Sequence, residues 1–243
     1  MKKHLTFIAA LGSLLLIPPF SAATFPEFSP QNNPLISQQT PAQSVQQIAK
    51  SITVKILLSD TNGSGVIITK KGQTYTVLTN AHVVTRSKSY RIQTPDGNTH
   101  LAVLKKQGSS LNGDDLAILE FQSDRNYALA SFGNSTNLIQ NETVFSAGFP
   151  VNQNNLNFLS SHITLIATQP LKGGYQIGYT NQTEQGMSGG ALLNQKGQLI
   201  GIIGMGTGAV LNEAYQYQNG SFPPKNLLSQ MRKISFAVPL NTL

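Results

Sequence analysis

The chain contains no cysteine, so no disulfide holds it and its stability must come from packing and hydrogen bonding. Charge is sparse: 11% of the residues are Asp, Glu, Lys or Arg, with a formal net charge of +7. The basic residues are scattered as pairs, Lys70-Lys71, Lys105-Lys106 and Arg232-Lys233. They describe a solvated surface and exclude the continuous basic stripe of a nucleic-acid footprint. The apolar run Leu5 to Ile17 is short against the ~20 residues needed to span a bilayer. With Lys2-Lys3 before it and Ser21-Ala22-Ala23 after it, it reads as a secretory signal peptide over residues 1–23. Its removal takes two lysines and no acid, which leaves 15 − 10 = +5. The expectation is an exported protein, periplasmic or extracellular, with no stable membrane insertion after cleavage. Without cysteines, bacterial export fits better than animal secretion.

Residues 24–42, rich in Pro, Gln, Asn and Ser, have the composition of an extended leader or pro-segment. Val45, Ile48 and Ala49 then follow helical spacing within Ala42 to Ser51, which predicts one short helix. Beyond it the period changes. Ile52 to Leu58, Val66 to Thr69 and Tyr75 to Thr79 are β-branched or apolar stretches separated by Gly63-Ser64-Gly65 and Lys71-Gly72, both read as turns. Tyr90 to Thr94 and Thr99 to Leu104 flank Pro95-Asp96-Gly97, a hairpin signal, and Asp115 to Phe121 is the next strand. Residues 123–141 are mostly polar and separate two β-rich halves, predicted as 43–135 and 136–243. In the second half, strands fall near Thr143 to Ala147, His162 to Thr168, Tyr175 to Tyr179, Ala191 to Leu193 and Leu199 to Ile203. Pro224 to Arg232 reads as a C-terminal helix.

The stretch Glu184-Gln185-Gly186-Met187-Ser188-Gly189-Gly190 has the composition of a nucleophile loop, because glycines around a serine permit unusual dihedrals and close substrate approach. Taken literally it matches the G-x-S-x-G elbow of α/β-hydrolases, whose triad runs Ser, acid, His. The four histidines are His4, His82, His100 and His162. None follows Ser188, so that reading cannot be completed. A serine nucleophile needs a base and a group that orients the base. His82, at the end of an apolar strand, and Asp115, at the mouth of another, are the candidates. Taken alone, His82 reads more readily as a packed or surface side chain and Asp115 as a strand-start or turn aspartate. Asp60-His82-Ser188 would satisfy the subtilisin order, but the alternating helices of an α/β fold are missing.

Taken together these segments resemble the trypsin-like serine peptidases, of the cysteine-free bacterial kind related to HtrA-type protease domains. Thr79-Asn80-Ala81-His82-Val83-Val84 is similar to the family's histidine motif, and Gly113-Asp114-Asp115-Leu116-Ala117-Ile118 to its aspartate motif. Gly186-Met187-Ser188-Gly189-Gly190 is similar to its G-[DN]-S-G-G serine motif, and Gly63-Ser64-Gly65 to an upstream strand turn. Leu199 to Ile203 and Phe236-Ala237-Val238-Pro239 extend the likeness. The resemblance implies an all-β fold of two antiparallel six-stranded barrels with the active site in the cleft between them, flanked by short N- and C-terminal helices. It implies His82, Asp115 and Ser188 as the triad, with Asp115 favoured over Asp114 by its register with Leu116-Ala117. The backbone N–H groups of Gly186 and Ser188 would form the oxyanion hole. The activity implied is peptide-bond hydrolysis through an acyl-enzyme, on a protein or peptide substrate and without a cofactor or metal. A peptide-holding module without turnover and an esterase are the alternatives.

Two departures carry consequences. Met187 stands where zymogen-type relatives use an aspartate that pairs with a freshly cut N-terminus, so activity is expected to be independent of a buried α-amine. The register places the substrate pocket near Gln182 and Thr183, with walls at Gly204, Met205 and Gly206. No aspartate lies on that floor and Ile203 stands where glutamate-selective relatives use histidine, which points to a neutral, small or apolar side chain rather than Lys, Arg or Glu. The sequence ends at Leu243 with no stretch reading as a PDZ domain. His100 and His162 read as ordinary strand or surface residues.

Overall fold

The computed structural model describes residues 40–85, 89–108, 113–151, 153–207 and 212–240. The expected signal peptide over 1–23 and residues 24–39 of the expected leader lie outside them. Helix α1 (Pro41–Ile52) opens the described chain. Thr40 caps it: its hydroxyl accepts from the Gln43 N–H, and the Gln43 side chain accepts from the Thr40 N–H. With Pro41 at the first helical position, where a missing N–H costs nothing, this start is fixed by sequence. The helix therefore begins at Pro41, one residue before the Ala42 expected from the sequence.

Six strands follow, β1 (Thr53–Leu57), β2 (Asn62–Lys71), β3 (Thr74–Thr79), β4 (Tyr90–Gln93), β5 (Thr99–Gln107) and β6 (Ala117–Gln122), with the one-turn helix α2 (Ala81–Val84) between β3 and β4. They close into an antiparallel barrel in the order β1-β2-β3-β6-β5-β4. Six more, β7 (Thr143–Gly148), β8 (Asn157–Ile166), β9 (Ile177–Tyr179), β10 (Ala191–Asn194), β11 (Leu199–Met205) and β12 (Ser235–Pro239), close a second barrel in the order β10-β11-β12-β9-β8-β7. Helix α3 (Lys225–Met231) precedes the last strand. The expected all-β, two-barrel architecture with terminal helices is the architecture observed.

Three cores explain the strand pattern. Ile56, Ile67, Val77, Leu119 and Phe121 fill the first barrel, and Val144, Ile163, Met187, Ile200 and Ala237 the second. The third gathers Ile52 of α1, Val66 and Leu78 of the first barrel, and Ala191, Ile202, Phe236 and Val238 of the second. Successive strand residues point to opposite faces, so Val66 and Ile67, or Leu78 and Val77, serve different cores. Strands at the join are buried on both faces, whereas β5 alternates exposed and half-buried residues. Because the join is itself an apolar core, the two halves predicted as 43–135 and 136–243 lie together within one compact unit.

Two sequence expectations are corrected. Gly63-Ser64-Gly65 is not a turn: it lies inside β2, with Ser64 opposite Lys55. Its glycines serve packing, since a β-carbon on Gly65 would stand 2.5 Å from a Val77 methyl. Asp115 and Leu116 precede β6 rather than open it, because their N–H groups are taken by Gly173 O at 2.8 Å and Asp114 O at 2.7 Å.

Candidate active site

His82 is carried by α2, directly after β3. The Asp115 carboxylate meets it twice: Oδ2 lies 2.5 Å from His82 Nδ1 and Oδ1 accepts the His82 backbone N–H at 2.8 Å. A carboxylate accepts only, so Nδ1 carries a proton, and Nε2 makes no hydrogen bond to another described residue. The Asn80 amide donates to the Asp115 carbonyl at 2.8 Å. The aspartate is thus held through its side chain and both backbone groups. Its side chain is 15% exposed and that of His82 is 36% exposed, as expected of a base that keeps one nitrogen open. Asp114 takes no part: its carboxylate accepts from the Gln218 amide at 3.3 Å. Burial pushes the Asp114 carboxyl upward, opposed by that hydrogen bond.

Ser188 lies on the loop between β9 and β10, in the second barrel. Its hydroxyl donates to the Gly204 carbonyl at 3.3 Å rather than to the imidazole. Catalytic hydrogen bonds in unliganded sites are commonly long or misaligned. The loop is pinned from the first barrel by Ser64. The Ser64 N–H donates to Ser188 O at 2.8 Å and its hydroxyl donates to Gly186 O at 2.9 Å while accepting from Phe149 N at 2.8 Å. Thr79 completes the tie by donating to Ser64 O at 2.7 Å.

These bonds set the orientation of the loop amides. Gln185 O accepts from Val151 N at 2.8 Å, which fixes the 185–186 peptide, and in a trans peptide the Gly186 N–H points opposite to that carbonyl. Among the described residues neither the Gly186 nor the Ser188 N–H donates to a protein group. Two such free donors beside a serine hydroxyl are the components of an oxyanion hole. Gly186 has φ +95° and Gly189 φ +88°, values that L side chains rarely adopt. A β-carbon on Gly189 would also overlap the Ser64 carbonyl and the Thr79 hydroxyl.

The structure brings together His82, Asp115, Ser188 and Gly186. Of the expected pocket residues, Gln182 is exposed, Met205 is buried, and Thr183, Gly204 and Gly206 are half-buried. Thr183 O stands 2.8 Å from where a β-carbon on Gly206 would sit, so those two segments approach closely. Tyr179, fully buried, meets the Thr183 hydroxyl at 2.6 Å, and burial raises its phenol above the usual range. A cavity of about 200 Å³ opens on the other flank of Ser188, lined in part by Leu58, Asn62, His82, Gln185 and Gly186. Met187 is fully buried in the second-barrel core. Among the described residues no group of three or more His, Cys, Asp or Glu could hold a metal. One residue of the site has no counterpart in the sequence reading: the Tyr175 hydroxyl donates to Asp115 Oδ2. Expected as the first residue of a strand, Tyr175 instead precedes β9, and its local sequence offers no signal of that contact.

Residues 63–202 match the family described as Trypsin-like peptidase domain, a span that includes the histidine, aspartate and serine segments. The chain belongs to the trypsin-like peptidase family. This trypsin-like chain is 32% identical over 152 residues to Serine protease Do-like HtrA of Bacillus subtilis (strain 168), covering 59% of the chain and 33% of that protein. It is 29% identical over 156 residues to Serine protease HTRA4 of Mus musculus, covering 60% of the chain and 30% of that protein. The chain thus spans about a third of the length of the curated relatives it matches. Among solved structures, the HtrA-type protease AlgW with tripeptide has a similar fold, with a TM-score of 0.62 at 22% identity over 82% of this chain and 59% of that one. The serine endoprotease from Yersinia pestis gives 0.60 at 22% over 83% and 63%.

Proposed function

We propose that this trypsin-like peptidase is an exported serine endopeptidase that works through an acyl-enzyme on Ser188. The observation that carries the reading is His82, held by Asp115 at Nδ1 with Nε2 open, beside a serine loop whose Gly186 and Ser188 amides are free. Rotation of the Ser188 hydroxyl from Gly204 O toward Nε2 sets up attack on a peptide carbonyl. The hydroxyl proton passes to His82 Nε2, and Asp115 stabilises the imidazolium that forms. The Gly186 and Ser188 N–H groups receive the oxyanion. Collapse breaks the C–N bond, and the amine leaves with the proton from His82. Water, deprotonated by the same nitrogen, then hydrolyses the ester and frees Ser188. All the groups this cycle uses are on the chain, so no cofactor is invoked.

Export is read from the Lys2-Lys3, Leu5 to Ile17 and Ser21-Ala22-Ala23 segment. Among the described residues no helix is long and apolar enough to cross a membrane. The substrate is a protein or peptide. The close approach of Thr183 to Gly206 and the absence of an acidic residue at Gln182-Thr183 support a small or apolar side chain on the acyl side, and the 200 Å³ cavity would receive the leaving-group side. The hydroxyl turned to Gly204 O favours a second reading, in which the cleft holds peptides without turnover.

Labelling with a fluorophosphonate, followed by a peptide-library digest, tests the reading. The native chain labels and cleaves and Ser188→Ala does neither, whereas binding of peptides without labelling would establish the second reading instead. Ser188→Ala or His82→Ala lowers turnover by roughly 10⁶-fold and Asp115→Asn by roughly 10⁴-fold. Labelling without peptide cleavage would favour the esterase or the peptide-holding reading.

A further inference from the structure

His82 and Asp115 belong to the first barrel and Ser188 to the second, so the chemistry depends on how well one barrel is registered on the other. Tyr175 stands at that join. It is 6% exposed and packs in the core shared by the two barrels. Its hydroxyl donates to Asp115 Oδ2, the oxygen that also meets His82 Nδ1. The turn that carries it is bound to the same residue, since the Asp115 N–H donates to Gly173 O at 2.8 Å. Gly173 and Gly174 have φ +79° and +80°, and Leu171 N donates to Tyr175 O at 3.0 Å, so the ring enters from a tight turn. The phenol has one proton to give. Burial, and after it the charge of Asp115, pushes its ionisation well above the usual tyrosine value, which keeps it a donor.

Gly204 makes the contact sterically available. A β-carbon there would overlap the Tyr175 hydroxyl and stand 2.7 Å from Asn80 Oδ1. The bare Cα lets the phenol through, and the carbonyl of the same residue receives the Ser188 hydroxyl. A side chain of the second barrel therefore shares Asp115 Oδ2 with His82 Nδ1, through space that a glycine leaves open.

We propose that Tyr175 is a positioning residue of the triad: by holding Asp115 from the second barrel, it fixes the His82–Asp115 pair against Ser188. The proposal rests on the peptidase reading for its effect on turnover, but not for its effect on the hydrogen bond. Tyr175→Phe removes one oxygen and keeps the ring. The expected outcome is a fall in kcat of about ten- to hundredfold with KM nearly unchanged, the size expected for losing a hydrogen bond to a charged group. The low-field proton resonance of His82 Nδ1–H should shift in the full-length protein. Tyr75→Phe is the control, because Tyr75 is fully buried and its hydroxyl donates only to Arg125 O in the first barrel; it leaves kcat and the resonance in place. Gly204→Ala puts a methyl where the phenol oxygen lies and should move the resonance as Tyr175→Phe does.

An unchanged kcat and an unmoved resonance in Tyr175→Phe would overturn the proposal. So would a loss of activity matched by Tyr75→Phe, which would mark a packing role. If the native chain neither labels nor cleaves, the peptidase reading fails by itself, and the resonance still decides whether Tyr175 orients the pair.

Discussion

Ser64 controls more of the site than its place in mid-strand suggests. Its hydroxyl links Gly186 O to Phe149 N, at 2.9 and 2.8 Å, and so fixes the 186–187 peptide, which lies between the Gly186 and Ser188 amides. Ser64→Ala leaves the Phe149 N–H without that partner, at a cost of about 1–3 kcal/mol in stability. It also frees the loop, and kcat should fall about tenfold while peptide binding is retained, a split that steady-state kinetics checks. A second residue with a defined outcome is Asp96, in the turn between β4 and β5. Burial alone would raise its carboxyl, but hydrogen bonds from Thr94, the Asn98 side chain and backbone, and Tyr127 outweigh it and lower it to about 2. The group is depressed in the folded state, so its contribution is fully present above the ordinary carboxylate value, about 3.9, and is lost as pH falls through about 2. Asp96→Asn should flatten the part of the acid-unfolding curve between those limits, as circular dichroism against pH would show.

Among the elements, α1 depends on a cap that was present in the sequence as Thr40-Pro41-Ala42-Gln43. Thr40→Ala removes the hydroxyl that the Gln43 N–H donates to and should cost about 1 kcal/mol, read from the midpoint of urea unfolding. The strands were legible where β-branched runs end at turn residues: β3, β4, β7 and β10 lie within a residue or two of their expected bounds. Gly63-Ser64-Gly65 misled because glycine in a strand and glycine in a turn look alike in sequence, and only the neighbouring Val77 and Val83 reveal the packing reason. The helix α2 that bears His82 is a single turn, too short for periodicity to register. His82, Asp115 and Ser188 were legible because each sits in a local motif. Tyr175 was not, because its role arises from two segments brought together across the barrels, with Gly204 leaving the space.

For the whole molecule, the shared core of Val66, Leu78, Ala191, Ile202 and Phe236 makes the cleft a seam between two packed bodies rather than a hinge. The bonds from Ser64 and Tyr175 cross that seam. Met187, fully buried among apolar side chains, fits the loop into the second barrel without an ion pair. Chains that begin at different residues before Thr40 should therefore turn over at the same rate, which activity assays on N-terminally extended and trimmed proteins would check. All of this converges on one oxygen, Ser188 Oγ. Rapid mixing with an activated acyl ester, acid quench and peptide mapping by mass spectrometry follows that atom directly. A burst of one leaving group per chain, with the acyl mass on the peptide containing Ser188 and absent in Ser188→Ala, is the predicted result; a folded native chain that gives no burst and carries no adduct at Ser188 would contradict it.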